Sequence, residues 1–522
     1  MTKPEHVEVL IVGSGPAGAT FARVIGDTRP ATSILMVEVG PRLRGPVGEH
    51  TMNMNEDDRA ACQMASQGPD ATIRRSAPGV SIRSNEAGPR EPFVFPGLFL
   101  VGERAKVDDE FGLPLASMAS GIGGMGVHWG GSCPRPSGSE RNPFIPGAEL
   151  DAAYERAEKL LAVSKDLHDG DELLATLRKV IADEFDADDP SSAPVGFMPI
   201  AVQREGTKVR TTGTGAVLGD ILWTVPGFEI RPDTLCRRIV VEAGVAVGVD
   251  LERRATGERY RVEADRVVVC ADSLRTPQLL YASGIQPRAL GHHLNDHLQM
   301  HAVVLLDPLY VAPEPEPTLA SDEAVEVTAL DRVRPPSVGS VLVPYVDDVR
   351  PMQGQLIPLS KIGVNLKYFE ALDEAAARRI ALLAWYGAKD VRFEDRIEFS
   401  DNEVDHYGMP AMTIHYDLTA KDRATVDLMR ANLSRAAGLV GTLVTNPELA
   451  PGGSSLHYQG TVRMGAVDDG TSVCDRYHRV WGVEHLYVGG NGVIPTSTAA
   501  NPTLTTVALS SRAAAELVRG LR

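Results

Sequence analysis

Alternating apolar and glycine-rich segments at the start of the chain predict a strand, a tight turn and a helix in succession. Val7–Val12 is a short apolar run, and Gly13–Gly18 follows it with the spacing GxGxxG. Ala17–Ile25 has a helical pattern, and a second apolar run, Ser33–Val39, contains Glu38. Together these segments predict a strand–helix–strand unit in a parallel sheet.

The glycine spacing in this unit indicates dinucleotide binding. Gly13 makes the tight turn, Gly15 lets a pyrophosphate approach the backbone, and Gly18 lets helix and strand pack closely. The helix start, which includes Ala17, offers free N–H groups to phosphate. Glu38 lies about 20 residues further on, where an acid binds ribose hydroxyls and disfavours a 2′-phosphate. The alternative is a glycine-rich turn that binds nothing.

The middle of the chain alternates helical and strand patterns. Residues 40–100, rich in Pro, Gly and Arg, are predicted to be irregular. Helices are predicted at Asp151–Ala162, Asp171–Glu184, Pro277–Ser283 and Lys421–Leu439. The predicted strands are Arg266–Cys270, His301–Leu306, Ser340–Val346, Arg392–Phe399 and Ala411–Tyr416, and the last four indicate an antiparallel sheet with helical cover.

The C-terminal part repeats the opening theme. Glu484–Gly489 is strand-like, Gly489–Gly492 is a glycine-rich turn, and Asn501-Pro502 opens a helix that runs to about Arg519. The sequence therefore predicts an α/β fold with a Rossmann-like domain built from both termini and an interleaved second domain with an antiparallel or mixed sheet. We expect the first domain at 1–150, 230–300 and 452–522, and the second at 151–229 and 301–451. Such interleaving is typical of flavin enzymes and unusual for simple NAD enzymes.

Composition narrows the class of partner and compartment. The chain has 522 residues, 43% of them hydrophobic, with 52 Lys and Arg against 69 Asp and Glu, a formal net charge of -17. This negative field argues against nucleic acid. The N-terminus lacks a long apolar core, and no run approaches about 18 apolar residues, so neither a signal peptide nor a membrane span is expected. Five widely spaced cysteines without a CxxC pair indicate a reduced, cytoplasmic protein.

Three further segments carry a family resemblance. Residues 123–129 read GGMGVHW, residues 457–465 read HYQGTVRMG, and residues 489–505 contain GGNGVIP and NPTLT. With the N-terminal fingerprint, they resemble glucose-methanol-choline (GMC) oxidoreductases, most closely the pyranose oxidases and the bacterial enzymes that oxidise glycosides at C3. The resemblance implies one FAD-binding domain, one substrate domain and an alcohol-oxidising activity.

The resemblance implies that His457 and Asn501 are catalytic. Oxidation of an alcohol requires removal of the O–H proton, which a neutral imidazole can accept at neutral pH. A second hydrogen-bonding group holds the same oxygen. The residues themselves also allow a bland alternative for Asn501, because Asn before Pro is a good helix N-cap with proline at N1.

The resemblance also implies FAD-binding positions, and at one of them the mode of binding stays open. His128 matches the histidine to which fungal pyranose oxidases attach FAD covalently. Here Val127 and Gly130 replace the family's hydroxyl-bearing neighbours, so the alternatives are a covalent bond and a histidine packed on the flavin rim. The remaining implied positions are Gly124, Met125, Trp129, Gly130, Cys236, Ala271, Gly490, Asn491, Pro502 and Thr503.

A histidine cluster raises the question of a metal. His293, His297 and His301 are spaced i, i+4, i+8, which on one helical face could ligate an ion, and His292 adjoins them. No metalloprotease carboxylate signature accompanies them, and the segment resembles a family loop without metal. No metal is expected.

The hypothesis favoured by these features is FAD-dependent oxidation of a secondary ring hydroxyl, at C2 or C3, of a pyranose sugar or glycoside. Proton abstraction and hydride transfer to flavin N5 would give the keto-sugar, and the electrons would pass to O2, giving H2O2, or to another acceptor. The alternatives are oxidation of another alcohol such as choline or a sterol, a non-catalytic flavin-binding protein, and an NAD-dependent dehydrogenase. The second glycine-rich unit at Gly489–Gly492 argues against the last.

Overall fold

A computed structural model describes most of the chain. The described residues are 5–67, 98–100, 106–107, 111–188, 193–206, 208–310, 340–347, 349–359 and 379–521. Within them no helix is long and apolar enough to cross a membrane. The five cysteines, all described, are buried and unbridged.

The described strands fall into two large sheets and four small ones. In chain order they are β1 Glu5–Val12, β2 Ile34–Val37, β3 Phe99–Leu100, β4 Lys106–Val107, β5 Ser117–Met118, β6 Val163–Ser164, β7 Gly196–Phe197, β8 Ile200–Glu205, β9 Lys208–Thr211, β10 Phe228–Arg231, β11 Thr234–Glu242, β12 Val245–Arg253, β13 Arg259–Val269, β14 Leu298–Leu306, β15 Val341–Val343, β16 Met352–Pro358, β17 Ile380–Gly387, β18 Arg396–Val404, β19 Pro410–His415, β20 Gly441–Leu443, β21 Glu448–Leu449, β22 Met464–Gly465, β23 Cys474–Asp475 and β24 Leu486–Val488.

The described α-helices lie between and after these strands. In chain order they are α1 Pro16–Thr28, α2 Glu56–Ser66, α3 Gly147–Leu160, α4 Glu172–Phe185, α5 Thr214–Leu218, α6 Ile221–Thr224, α7 Asp272–Ala282, α8 Ala420–Val440 and α9 Thr503–Arg519.

The first large sheet has the order β10-β2-β1-β13-β12-β11, and β24 also pairs with β13. β10, β2, β1, β13 and β24 are mutually parallel, whereas β12 and β11 form an antiparallel ribbon. β12 pairs with the first half of β13 and β24 with its last three residues, so both lie along one edge of β13. The N-terminal and C-terminal parts of the chain therefore share one sheet and one buried core, as the sequence predicts.

The second large sheet is antiparallel throughout. Its order is β20-β14-β17-β16-β15-β7, with β21 also paired to β14. Apolar side chains of one face, among them Met300, Leu356 and Trp385, pack with Met429 and Leu433 of α8 into a separate core. This confirms the predicted antiparallel sheet with helical cover for the strands at His301–Leu306 and Ser340–Val346 and, with the first sheet, the predicted fold class. The strands predicted at Arg392–Phe399 and Ala411–Tyr416 do not belong to this sheet, because β18 and β19 pair with each other in a separate small sheet.

Some predicted elements need correction. Residues 40–100 are not wholly irregular, since α2 begins after Asn55, whose side chain accepts a hydrogen bond from Asp58 N. The strand predicted at Arg392–Phe399 begins later, at Arg396, because the preceding residues join a buried ion cluster around Asp395. The strand predicted at Ser340–Val346 is confined to β15.

The helix predicted at Pro277–Ser283 is α7, which begins five residues earlier, at Asp272, so Pro277 lies inside it. Proline lacks the N–H that would bond the carbonyl four residues back. That carbonyl, Ser273 O, instead accepts from Thr461 Oγ1 at 2.5 Å.

The domain boundaries proposed above stay a prediction. Several segments between 147 and 225 pack in the first core, including Leu150 and Tyr154 of α3 and Val217 and Ile221 of α5 and α6.

Candidate active site

The glycine loop between β1 and α1 is held by close backbone contacts. Gly13 has φ +99°, and a Cβ there would lie 2.3 Å from Cys270 O. A Cβ on Gly18 would lie 2.0 Å from Gly13 O. Ala17 is buried in the first turn of α1. The loop is therefore fixed against the end of β13, and only glycine fits at these two positions.

Gly15 and Gly490 differ from these packed glycines. A Cβ at either position would meet no described atom within 4 Å, so the fold leaves open space in front of both. Gly15 is the N-cap of α1 and offers no capping side chain, which leaves the first N–H groups of that helix unbonded by a cap. These two features suit a dinucleotide lying across the carboxyl end of the first sheet.

Glu38 lies at the end of β2, next to the glycine loop. One carboxylate oxygen accepts from Ser14 N and Ser14 Oγ at 3.1 and 2.7 Å, and the other accepts from Gly40 N at 3.0 Å. Burial raises the pKa of this carboxyl above its ordinary value, and the hydrogen bonds from Ser14 and Gly40 oppose the shift. Glu38 is thus a fixed acceptor whose further lone pairs could receive ribose hydroxyls.

The segment around residues 121–130 packs onto the glycine loop. Ser14 Oγ accepts from Gly123 N at 2.9 Å, and a Cβ on Gly124 would lie 3.1 Å from Gly15 Cα. Met125 is half-buried beside it. The structure thus brings Gly124 to the open space at Gly15, whereas the side chain of Met125 packs against Leu98.

His128 and Trp129 follow in the same segment. Trp129 Nε1 donates to Thr212 O at 2.8 Å, and Gly130 is exposed. Both ring nitrogens of His128 are buried without a hydrogen-bond partner among the described residues. Burial, and then the neighbouring His50, lowers the pKa of His128 to about 3, so the imidazole is neutral. An orphaned imidazole at this place fits a cofactor packed against it.

Cys236 lies near the start of β11, and Ala271 follows directly after β13 and Cys270. Cys236 is buried on β11, two residues beyond Thr234, whose N–H donates to Glu38 O at 2.9 Å. Ala271 is the N-cap of α7, and its N–H donates to Thr276 Oγ1 at 3.1 Å. Both offer backbone and packing surface near the glycine loop.

The C-terminal segment places its predicted residues at the start of α9. Asn491 accepts a short hydrogen bond from Thr506 Oγ1, which ties the turn at Gly490 to that helix. The helix begins at Thr503 with Pro502 as N-cap and without a side-chain cap. The alternative role of Asn501 as an N-cap is therefore wrong.

His457 and Asn501 face each other. Asn501 Nδ2 lies 3.4 Å from His457 Nε2. Asn501 Oδ1 accepts from Gln353 Nε2 at 2.7 Å and Gln355 Nε2 at 3.2 Å, so the two glutamines of β16 fix which end of the amide points at the imidazole. Burial lowers the pKa of His457 to about 3, which keeps its imidazole neutral at physiological pH.

The other ring nitrogen of His457 contacts a second histidine. His457 Nδ1 lies 3.0 Å from His297 Nδ1. The two segments are aligned by reciprocal backbone bonds between Asn295 and Gln459, and the N–H of His457 donates to Asp296 Oδ1 at 3.0 Å. The contact with His297 and the backbone bonds therefore hold the His457 imidazole on the side away from Asn501.

A row of polar side chains from the second sheet lies beside this pair. Gln353, Tyr386 and Gln299 are cross-strand neighbours on β16, β17 and β14. Gln299 Nε2 donates to Tyr386 Oη at 3.3 Å, its Oε1 is buried without a partner among the described residues, and the Tyr386 ring centre is 5.7 Å from that of His457. The site therefore has an amide-rich wall.

The histidine spacing does not make a metal site. His293 lies in a loop with φ +59° and His301 lies on β14, so there is no helical face to gather them. His292 is bonded to Phe393 O and His297 to His457. Among the described residues no group of three or more His, Cys, Asp or Glu is arranged to hold a metal.

Comparison with known proteins decides the family. Two family models, both described as GMC oxidoreductase, match residues 138–299 and 395–510, which together span more than half of the chain. The chain belongs to the GMC oxidoreductases. It is accordingly an FAD-dependent oxidoreductase acting on CH–OH donors, and the open glycines, the uncapped α1 terminus and His128 fit that cofactor.

Relatives of this GMC oxidoreductase match it from end to end. A C-glycoside 3-oxidase from Microbacterium trichothecenolyticum is 42% identical over 515 residues, covering 98% of this chain and 96% of the relative. A C-glycoside 3-oxidase from Arthrobacter globiformis is 39% identical over 530 residues, covering 99% and 96%. A pyranose 2-oxidase from Tricholoma matsutake is 29% identical over 552 residues, covering 98% and 94%.

Sequence reasoning missed the groups around the His457–Asn501 pair. Gln353 and Gln355 lie outside the motifs that carry the family resemblance, and the register of β16 brings them to Asn501. His297 is indicated by the histidine spacing only as a possible metal ligand. Its signal was its place in the 291–297 segment, which resembles a family loop.

Proposed function

We propose that this GMC oxidoreductase oxidises a secondary ring hydroxyl of a glycoside or pyranose to the ketone, with C3 as the favoured position. The observation that carries the proposal is the 3.4 Å approach of Asn501 Nδ2 to His457 Nε2, which places a donor and an acceptor close enough to contact the same substrate oxygen. The names of the relatives support a sugar substrate, since two are C-glycoside 3-oxidases and one is a pyranose 2-oxidase.

The two side chains divide the work on the alcohol. His457 Nε2 accepts the O–H proton, as a neutral imidazole can. Asn501 Nδ2 donates a hydrogen bond to the same oxygen and so holds the carbinol in one orientation while negative charge develops there. Bound FAD supplies the acceptor for the C–H hydride.

The polar wall of the second sheet supports a polyhydroxylated substrate. Gln299, Gln353 and Gln355 are each less than 10% exposed and stand beside the proposed base. Buried amides both donate and accept, so they can pair with several ring hydroxyls. A sterol would leave the buried Gln299 Oε1 without a partner, which is costly in a buried site.

We infer that His128 lies against the flavin. Its neutral imidazole has a free lone pair, and the question of a covalent bond is settled by acid precipitation of the holoenzyme. Flavin that stays in the pellet of the parent and moves to the supernatant of His128→Ala shows a covalent bond through this residue. Flavin in the supernatant of both shows packing alone.

The electron acceptor and the compartment belong to the same proposal. Oxidase relatives favour O2, giving H2O2, over a quinone or a protein carrier. The negative net charge favours an enzyme that works without nucleic acid, and the widely spaced cysteines, which are unbridged, favour the cytoplasm.

Anaerobic mixing with candidate substrates tests the function. We expect a C-glycoside or a free pyranose to bleach the flavin absorbance near about 450 nm and choline to leave it unchanged, with the keto product identified by NMR. His457→Gln should slow this bleaching about 10²–10⁴-fold. His301→Gln, on β14 and outside the site, should leave it near the parent rate. Bleaching by choline but by no sugar, or parent-rate bleaching in His457→Gln, contradicts the proposal.

A further inference from the structure

The hydrogen bonds around His457 determine which of its ring nitrogens carries the proton. Gln353 Nε2 and Gln355 Nε2 are donors only, so Asn501 Oδ1 accepts from both and Asn501 Nδ2 faces His457. An amide nitrogen cannot accept a hydrogen bond. The favourable partner for it is therefore an unprotonated Nε2 on His457.

A neutral imidazole with an unprotonated Nε2 carries its proton on Nδ1. The described residue at hydrogen-bond distance from that nitrogen is His297, whose Nδ1 lies 3.0 Å away. Two neutral imidazoles can share one hydrogen bond only if one nitrogen donates and the other accepts. Burial keeps the pKa of both histidines well below the ordinary value, so both rings are neutral. His297 Nδ1 must then be the acceptor.

The surroundings of His297 agree with this arrangement. With Nδ1 unprotonated, Nε2 carries the proton and donates to Thr498 Oγ1 at 3.1 Å. The same hydroxyl oxygen has a second lone pair, which accepts a hydrogen bond from Gln459 Nε2 at 2.9 Å. The 3.2 Å separation between Gln459 Nε2 and His297 Nε2 is then a contact of two donors aimed at one oxygen. His297 is 5% exposed, so water does not replace these partners.

We propose that His297 is a positioning residue that holds His457 in the tautomer with a free Nε2. The proposal rests on the proposed function, because the free Nε2 is the atom that receives the substrate proton. His297 touches neither that proton nor the substrate. It acts by accepting the Nδ1–H of His457, which also fixes the plane of the base.

Two nearly isosteric substitutions test the proposal. His297→Asn places an amide oxygen where Nδ1 stands and keeps an acceptor for His457, whereas His297→Leu fills similar volume without one. We expect flavin reduction by the best substrate to fall about ten- to a hundredfold in His297→Leu, the size expected when a buried partner is lost, and to recover most of that loss in His297→Asn. The KM should change little in either variant, and flavin content and thermal midpoint should match between the two.

Tautomer assignment gives a readout that does not depend on turnover. In holoenzyme labelled with ¹⁵N-histidine, the signals of His457 are identified by their absence from His457→Gln. We expect protonated Nδ1 and unprotonated Nε2 in the parent and in His297→Asn, and a gain of the other tautomer in His297→Leu. A parent with protonated Nε2, or equal reduction rates in the Leu and Asn variants, overturns the proposal.

The role of His457 as base and the positioning role of His297 can be disproved separately. If His457→Gln reduces its flavin at the parent rate, the proposed function is wrong at the base, whatever the tautomer. If His457→Gln is slow but His297→Leu equals His297→Asn, the base stands and the positioning role of His297 falls.

Discussion

The side chain of Asn501 separates two roles that the sequence could not. It stands before a proline at a helix start, where it would cap a helix, yet α9 begins with Pro502 as its cap and the amide points at His457. Helix stability therefore does not depend on this residue, and its chemistry at the site can be tested without confounding effects on the cap.

We predict that Asn501→Asp folds and binds flavin but reduces it at least about tenfold more slowly. One carboxylate oxygen still accepts from Gln353 and Gln355, whereas the atom facing His457 can no longer donate, and its charge opposes the developing alkoxide. Stopped-flow reduction and thermal unfolding check this. Asp caps a helix as well as Asn does, so a variant with both the parent thermal midpoint and the parent reduction rate would leave Asn501 with a capping role at most.

The pH dependence of reduction follows from the burial of His457. Its pKa is lowered to about 3, so the imidazole is in its neutral, proton-accepting form throughout the physiological range. This neutral form is lost only when the pH falls towards 3. We predict a reduction rate constant that is flat between pH 5 and 8, measured by stopped flow at saturating substrate. A limb near pH 6.5, absent in a variant at His457, would contradict a buried neutral base.

The sequence predicts the catalytic pair but not the side chains that hold it. The pair His457 and Asn501 was predicted from short motifs, because each motif is local in sequence. Gln353 and Gln355 were not predicted, because their approach to Asn501 depends on the register of β16 in the second sheet. Register is set by long-range pairing and is invisible in one local pattern.

At the scale of elements, the glycine loop offers two positions that look alike in sequence and differ in space. Gly15 has φ -67°, a value open to alanine, and a Cβ there meets no described atom within 4 Å. A Cβ on Gly18 would meet Gly13 O at 2.0 Å. Gly15 therefore leaves room for a ligand that approaches the loop, whereas Gly18 is required by the packing of the loop itself.

We predict that Gly15→Ala folds with near-parent stability once flavin is removed and retains little flavin on purification. Gly18→Ala should destabilise the chain with or without flavin, since the backbone must move. Thermal unfolding of both flavin-free proteins, with flavin content read from absorbance, checks the pair. Full flavin content in Gly15→Ala would mean that no ligand approaches this position.

The predicted start of α7 and the irregular structure predicted over α2 were wrong for two different reasons. Pro277 suggested a helix start, but the carbonyl it leaves free is bonded by Thr461, so the helix tolerates proline in its interior. α2 was hidden in a loop-like composition, although Asn55 and three acidic residues after it are a good N-terminal signal. Local signals are reliable only where no distant side chain changes the balance.

At the scale of the whole molecule, Glu140 joins distant parts of the chain. Its buried carboxylate accepts from Ser137 N at 2.9 Å and, through the other oxygen, from Ala499 N and Ala500 N at 2.6 and 3.0 Å. The segment that ends at Asn501 is thereby anchored before α3. Burial raises the pKa of Glu140 from 4.5 to about 7, despite these three donors.

We predict a pH-dependent contribution to stability from Glu140. Its pKa is higher in the folded chain, so the folded chain binds this proton more tightly. The resulting stabilisation is complete below about pH 4.5 and is lost as pH rises through about 7, by at most about 3 kcal/mol. Glu140→Gln, whose amide oxygen can still accept from Ala499 and Ala500, should lack this fall. Denaturant unfolding at pH 5 and pH 8 checks the difference, and equal pH dependence in parent and variant would show that Glu140 is ionised at both.

The pairing of β24 with β13 has a consequence for how the protein is made. The last three residues of β13 pair along one edge with Leu486–Val488, which emerges from the ribosome roughly 200 residues later. At a synthesis rate of about 5–20 residues per second, this edge stays unpaired for about 10–40 s. During synthesis it is an unpaired strand end of three valines, Val267–Val269, which is open to misassembly. Completion of the nucleotide-binding sheet is therefore a late event, and a chaperone that covers this edge during elongation would raise the yield of folded enzyme more than one that acts after release.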